Sequence, residues 1–350
     1  MPFRSITGHR QLLELIARAS IRGTLPPSLI FAGPEGVGKR TAAVALAQLM
    51  NCLALVESPA PAGLFGGSEP ASEAPALDSC GECAACKRIA RGVHADVLLI
   101  APGENGAILI DQVRDAIERT AYRPFEGRRR VVIIDGADVL NAQAQNALLK
   151  TLEEPPATSC FVLVTSRPDV LLPTVRSRCQ CLRFGRLAPA DVAAVLVREH
   201  QYSETDAHAA AALSDGSIGL AIEGGTEAFA DAREAATGLL ERVAVSDDPR
   251  RRLEGAKALA VTGSGRSDRE ELARQLHALS SILRDLGVLL SRADERCLAN
   301  ADLQPVLRRL LKSFDGERAI RAFSAVDRAL LALERNASPK IVADWVAFQI

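Results

Sequence analysis

The segment Gly33-Pro34-Glu35-Gly36-Val37-Gly38-Lys39 sets three glycines ahead of a lysine, between an apolar run and a helix-forming stretch. Glycines let backbone N–H groups wrap an anion, a helix N-terminus adds partial positive charge, and the lysine reaches terminal phosphates. The chemistry on offer is phosphate binding. One residue later the pattern breaks. A hydrolytic loop of this type needs Ser or Thr after the lysine, to place a hydroxyl on Mg²⁺. Arg40 stands there instead, and Thr41 lies about 100° further round the helix. A second signature, Val131-Val132-Ile133-Ile134-Asp135, ends an apolar strand in a carboxylate suited to a metal, but Gly136 occupies the place of the water-activating glutamate. The nearest carboxylate, Asp138, belongs to the following turn. Two catalytic positions are lost independently. The expectation is weak or absent hydrolysis, with ATP or ADP binding by Gly33, Gly36, Gly38, Lys39, Thr41 and Asp135 left open.

The chain has eight cysteines, of which Cys80, Cys83 and Cys86 are clustered and Cys52 lies upstream at the end of the phosphate-loop helix. Four thiolates suit tetrahedral Zn²⁺, and with the shell complete such a zinc is structural. The closely spaced thiols also fit the start of an iron–sulfur motif, although the fourth Cys followed by Pro is missing. His94 is close enough to be considered as a ligand, but a lone histidine at a strand entrance reads as a structural group. Cys160, Cys179, Cys181 and Cys297 read as ordinary small core residues.

These groups must be positioned by a scaffold, and its elements are legible. Apolar runs at 28–32, 97–100, 130–134 and 160–164 alternate with helical text at 39–52, 111–120 and 141–153. Strands alternating with helices imply crossover units and a parallel sheet. Residues 54–79, rich in Pro and Gly, read as a flexible surface insertion. Past 188 the text turns helical, with short helices at 191–200 and 206–213. Leu272, Leu276, Leu279, Ile282, Leu286 and Leu289, then Ile320, Phe323, Val326, Leu330 and Leu333, recur at helical spacing and predict a bundle core. Three domains follow: 1–184, 185–230 and 231–350.

The 350 residues carry 42 basic and 43 acidic side chains and are 48% hydrophobic. That balance excludes a disordered acidic chain and a generally basic nucleic-acid coat. No apolar run is long enough to span a bilayer, and the first residues lack the apolar core of a signal peptide. The expectation is a cytoplasmic protein.

Three further runs belong together: Arg123-Pro124-Phe125-Glu126-Gly127, then Asn146-Ala147-Leu148-Leu149-Lys150-Thr151-Leu152-Glu153-Glu154-Pro155-Pro156, then Ser177-Arg178-Cys179. With the phosphate loop and the cysteine cluster they resemble the bacterial DNA polymerase III clamp-loader subunits of the AAA+ class, densely from about Pro26 to Leu187. The resemblance implies an α/β AAA+ P-loop domain with an inserted zinc knuckle, a small helical lid and an all-helical oligomerisation collar. From physics alone Arg178 is a solvated surface arginine. The resemblance makes it an arginine finger supplied in trans to a neighbour's ATP site. It places Thr165 at the first sensor position and Gly219 where motor subunits carry a second-sensor arginine.

Features serving the chain's own site are thus eroded, while the one serving a neighbour is kept, which implies a non-hydrolysing stator. Its implied partners are gamma/tau motor subunits and a delta subunit in a five-membered ring that loads a sliding clamp on primed DNA. Such a ring is part of the polymerase III holoenzyme, with no polymerase site in this chain. The alternative is an ATP-hydrolysing gamma/tau-like motor in which Arg40 is tolerated. A nucleic-acid adaptor built on Arg128-Arg129-Arg130 is a weaker third, because a short basic run before a strand reads as a solvated edge and the net charge is near zero.

Overall fold

The apolar runs form the strands of a mixed α/β fold. The computed structural model describes residues 1–57, 77–103, 106–224, 226–245, 249–259, 266–294, 298–300, 303–335 and 337–350. They divide into two compact units, Met1–Arg186 and Leu187–Ile350. Among the described residues the strands are β1 (Ser28–Ala32), β2 (Val56–Glu57), β3 (Leu77–Asp78), β4 (Val97–Ile100), β5 (Arg130–Asp135), β6 (Ser159–Thr165) and β7 (Gln180–Arg183). The first unit also holds helices α1 (Arg10–Ile21), α2 (Lys39–Asn51), α3 (Ala84–Ala90), α4 (Ile110–Thr120), α5 (Ala142–Glu153) and α6 (Pro173–Arg176).

Five strands build one sheet in the order β4-β5-β6-β1-β7, every neighbouring pair parallel. Side chains alternate between its two faces. Leu29, Phe31, Val131, Ile133, Val162 and Val164 enter one core with α2, while Ile30, Val132, Ile134, Phe161 and Leu163 enter the other with α4 and α5. Both faces are therefore covered, which is why β1, β5 and β6 read as continuous apolar runs. β7 was not legible. It is an edge strand whose residues are mostly exposed, so it carries no apolar signal.

Parallel register brings the carboxyl ends of the strands together. Ala32 faces Thr165 on one side and Arg183 on the other, and Asp135 faces Val164. The loop after β1, the end of β5 and the end of β6 share one rim of the sheet, where open α/β sheets take ligands.

The expected insertion at 54–79 begins and ends in order: Val56–Glu57 pairs antiparallel with Leu77–Asp78. Its middle lies outside the described residues, as does Cys297. Of the other cysteines read as core, Cys160 is buried, but Cys179 is half-buried and Cys181 is exposed on the edge strand β7. The basic run 128–130 also departs from a solvated edge. Arg128 and Arg129 are exposed, whereas Arg130 is buried.

The second unit is helical: α7 (Pro189–His200), α8 (Glu204–Leu213), α9 (Ile218–Gly224), α10 (Thr226–Val245), α11 (Pro249–Ala256), α12 (Arg266–Leu290), α13 (Gln304–Leu310), α14 (Gly316–Glu334) and α15 (Pro339–Gln349). Leu272, Leu276, Leu279, Ile282 and Leu286 are buried in its core, as predicted, and Leu289 packs against it. On α14 the buried stripe is Ala319, Ala322, Ala325, Val326, Ala329 and Leu333. Ile320 and Phe323 of the predicted core stripe lie outside it, 69% and 42% exposed. Alanines set the inward face there, and a count of large apolar residues missed them. No helix among the described residues is long and apolar enough to cross a membrane.

Candidate functional site

The phosphate loop leaves β1 between two neighbouring strands. The Gly33 N–H donates to Thr165 O at 3.2 Å, and the Phe184 N–H donates to Ala32 O at 2.7 Å. A Cβ on Gly33 would lie 2.1 Å from Phe184 O, so only glycine fits. Gly38, at φ 95°, makes the turn into α2 in a conformation that favours glycine. Lys39, the first residue of α2, is buried, and burial chiefly lowers its pKa. Its Nζ donates to Gly33 O at 2.7 Å and Pro34 O at 2.5 Å. The loop's own carbonyls hold its cation. His9 covers the loop from outside, with Nε2 3.1 Å from Val37 O and its ring edge-on to Phe184.

The carboxylate at the end of β5 already has a cationic partner. Arg40 Nη1 lies 3.4 Å from Asp135 Oδ2. Thr41, one position further round α2, is half-buried. Gly136 follows Asp135 at φ 76°, and a Cβ there would sit 3.1 Å from the Pro102 ring. A glutamate at this place would therefore be strained as well as crowded. Asp138 stands in the next turn and is engaged. It accepts from Thr165 Oγ1 at 3.0 Å and from Arg167 Nη2 at 3.2 Å, while the Arg167 N–H donates to Thr165 Oγ1. The structure thus gathers Gly33, Gly36, Gly38, Lys39, Asp135 and Thr165 at one rim, with Arg40 paired to Asp135, its candidate metal carboxylate. Gly219 belongs to the second unit, inside α9, behind a Ser217 side chain that accepts from the Leu220 N–H.

At the far end of α2 the four cysteines converge. Cys52 follows the last residue of the helix, Cys83 caps α3, and Cys86 lies within α3. All four sulfurs lie within 4.8 Å of one another, with Cys52 and Cys80 Sγ 3.6 Å apart. Tetrahedral zinc with bonds of about 2.3 Å requires sulfurs roughly 3.8 Å apart, so the donor set fits that ion. Backbone N–H groups point at the sulfurs: Cys80 to Cys52, Cys83 to Cys80, and Cys86 to Cys83. Burial opposes the Cys83 thiolate, yet the Cys86 and Leu53 N–H groups and the neighbouring Cys86 and Cys80 thiols outweigh it and hold its pKa at about 6. Burial pushes the Cys52 and Cys86 thiols up. His94 stands apart from the cluster. Its Nδ1 accepts from the Asp96 N–H, and its Nε2 lies 3.5 Å from Glu126.

Arg178 follows the short helix α6 and leads into β7. Its Nε and Nη2 donate to Glu153 Oε2 at 3.2 and 3.0 Å, and its Nη1 donates to Thr174 O at 3.1 Å. The side chain is 31% exposed, so the guanidinium is both held and reachable. Such a group recognises anions.

Sequence reasoning missed the partners of these residues. Glu153 was quoted only as part of a run, and its pairing with Arg178 spans 25 positions. The 123–127 run has a structural use: it wraps Asp96. That carboxylate accepts from the N–H groups of Phe125, Glu126 and Gly127 at 2.7–2.8 Å, and from Arg130 Nη2 at 2.7 Å. Burial works to raise the Asp96 pKa, but these donors outweigh it and hold it at about 2. A Cβ at Gly127 would meet Asn51 Oδ1 at 2.5 Å, so a larger residue there would displace the Asn51 side chain. An apolar neighbourhood and a run of turn residues were the available signals for this nest; its anion is distant in sequence.

Comparison with known proteins places these features in context. The sequence model of a family described as "DNA polymerase III, delta subunit" matches residues 8–188, more than half of the chain. The tau subunit of DNA polymerase III from Bacillus subtilis is 33% identical over 185 residues, 53% of this chain and 29% of that protein. The delta' subunit from Pseudomonas aeruginosa is 38% identical over 148 residues, 42% of this chain and 39% of that protein. The chain thus spans well under two thirds of these relatives. A gamma-subunit-related protein of Thermotoga maritima superposes with a TM-score of 0.41 at 19% identity, over 96% of this chain and 97% of that one.

Proposed function

The chain belongs to the DNA polymerase III clamp-loader family of AAA+ proteins, and from that premise we propose that it is the delta-prime subunit, a stator without ATPase activity that donates an arginine finger. The observation that carries this reading is the contrast between the two rims of the sheet, the carboxyl ends of its strands at Asp135 and the amino end of β7 beside Arg178. Arg40 neutralises Asp135 and a left-handed Gly136 replaces the general base, whereas Arg178 stays reachable at the surface. The residues present do not fit a magnesium ion at Asp135, since a guanidinium stands where a hydroxyl ligand is needed. The gamma/tau-like motor alternative would need that ion.

In this reading the partners are gamma/tau motor subunits and a delta subunit, and the ring they form places a sliding clamp on primed DNA in the cytoplasm. Residues 185–230 act as a lid and 231–350 as an oligomerisation collar. Zinc at Cys52, Cys80, Cys83 and Cys86 has a structural task, joining the end of α2 to α3. Nucleotide in the chain's own loop has no catalytic task.

The test is Arg178→Ala in a ring reconstituted with its cognate subunits, with ATP turnover measured with clamp and primed DNA. A transition-state arginine is worth ~10³–10⁵ at the site it serves. Because the finger serves one site of several, total stimulated turnover should fall in part. Turnover equal to wild type would remove the finger assignment. Magnesium-dependent hydrolysis by the isolated chain, abolished by Lys39→Ala, would establish a motor instead.

A further inference from the structure

Glu153 is the last residue of α5, at the end of the helix that carries most of the 146–156 run. One of its oxygens bridges two nitrogens of Arg178, and the third nitrogen is taken by the carbonyl of Thr174. A guanidinium has five N–H groups. These three bonds use one on each nitrogen, so each terminal nitrogen keeps one N–H with no acceptor among the described residues. Donors on the two terminal nitrogens are the pair that a phosphate accepts in bidentate fashion.

An exposed arginine otherwise samples many rotamers, and ordering it on contact with a partner slows or weakens that contact. Here the ordering is built into the chain. Glu153 comes from α5 and Thr174 from α6, so two elements fix the guanidinium before any partner arrives. We infer that Glu153 is a positioning residue for Arg178: it presets the guanidinium with its terminal N–H pair free to meet a phosphoryl group carried by a neighbouring chain. This rests on the finger reading above and adds the device that aims the finger. The bridging geometry also explains why a glutamate stands here beside a group whose positive charge is to be used. Its oxygen lies on the side of Nε and Nη2, so one N–H on each terminal nitrogen is left for a partner.

The experiment compares ATP turnover of reconstituted rings carrying Glu153→Ala, Glu153→Gln, Arg178→Ala, or Glu153→Ala with Arg178→Ala. Glu153→Ala should lower the Arg178-dependent part of kcat ~3–10-fold with KM for ATP unchanged, the cost of ordering one long side chain. Glu153→Gln keeps a carbonyl acceptor in the same place and should recover most of the loss. In the Arg178→Ala background Glu153→Ala should change nothing further, since the two act as one unit. Sedimentation of each ring should match wild type.

Wild-type or raised turnover for Glu153→Ala overturns the positioning role, as does an equal loss in the Arg178→Ala background or failure of Glu153→Gln to rescue. Arg178→Ala defective with Glu153→Ala normal removes the positioning role alone. If Arg178→Ala itself turns over ATP like wild type, the finger reading falls and the positioning role with it.

Discussion

Two loops of the first unit are made of similar parts and end differently. The loop at 33–38 and the loop at 123–127 both bring glycine and backbone polar groups round a charged centre, carbonyls in the first and N–H groups in the second, and α2 links them. Its first residue, Lys39, belongs to the first loop. Its last, Asn51, accepts from the Arg129 N–H beside the second. In the second loop the anion is internal, because Asp96 receives three backbone N–H groups and Arg130. In the first loop a cation is internal, because Lys39 is held by two loop carbonyls and Arg40 faces Asp135. The 123–127 loop therefore encloses a buried ion pair whose carboxylate is fully supplied with donors, although Arg130 Nε is buried without an acceptor among the described residues. The 33–38 loop has the sequence of a phosphate loop, but its polar groups have turned on one another. A phosphate-loop motif in a sequence does not separate these cases; the partner of its lysine does.

The largest expected effect lies at the end of α2 remote from its phosphate loop. If zinc joins Cys52 to the other three thiols, α2 is clamped at the end that meets the 123–129 segment. Structural zinc contributes ~10 kcal/mol or more where folding depends wholly on it. With α2 already packed in the core, loss of the ion should cost less, about 5 kcal/mol, which lowers the Tm of a unit this size by roughly 10 °C or more. Differential scanning of the metal-bound protein, the chelated protein and Cys86→Ala checks this. A colourless protein that releases zinc should lose stability on chelation and regain it on zinc addition. Equal Tm values for all three would mean that the knuckle closes without an ion and leaves α2 unaffected.

Asp96 comes next. Asp96→Asn leaves Arg130 buried without its charge partner, at a cost of about 3 kcal/mol or more. The pH dependence sharpens the comparison. The carboxyl titrates at about 2 in the fold against an ordinary value of 3.8. A carboxylate depressed in this way contributes about 2 kcal/mol that is present above the unfolded value and lost as pH falls from about 4 to about 2. Urea unfolding at several pH values should show the wild-type advantage over Asp96→Asn shrinking through that window. A gap that stays constant down to pH 2 would show that the nest does not select the charged form.

How much of this was open to the sequence depends on where each group finds its partner. Strands β1, β5 and β6 were legible because buried parallel strands write their burial as apolar runs, and edge strand β4 because it is apolar throughout although only Ile100 is buried. Edge strand β7 was not, since its exposed positions admit Gln180 and Arg183. The four clustered cysteines announce themselves by spacing. The Arg128–Arg130 run misled because Arg130 is neutralised by Asp96, 34 positions earlier, and local sequence cannot show a partner folded in from another strand. Glu153 with Arg178, and Thr165 with Asp138, are pairs of the same kind. On α14 the inward stripe of small residues was outweighed by Ile320 and Phe323 on the outer side. The phosphate loop was legible as a motif, and Arg40 as a departure from it, but the bond from Lys39 to its own loop required the fold.

The smallest expected effect separates the two causes of closure in that loop. Arg40 is half-exposed, so its repulsion of a divalent ion at Asp135 is far below the roughly 4 kcal/mol of a unit-charge pair at 4 Å and moderate dielectric. Solvent brings it to about 1 kcal/mol. Arg40→Thr removes that charge and supplies a hydroxyl at the place where magnesium needs one. The isolated variant should bind ATP with Mg²⁺ about tenfold more tightly than wild type, with little change when EDTA replaces the metal, as read by titration calorimetry. Turnover should remain absent, because Gly136 still lacks the carboxylate that activates water. If Arg40→Thr gains nothing with Mg²⁺, the ion pair at Asp135 is incidental. The closure then belongs to Lys39, whose Nζ must leave two carbonyls of its own loop before it can meet a phosphate.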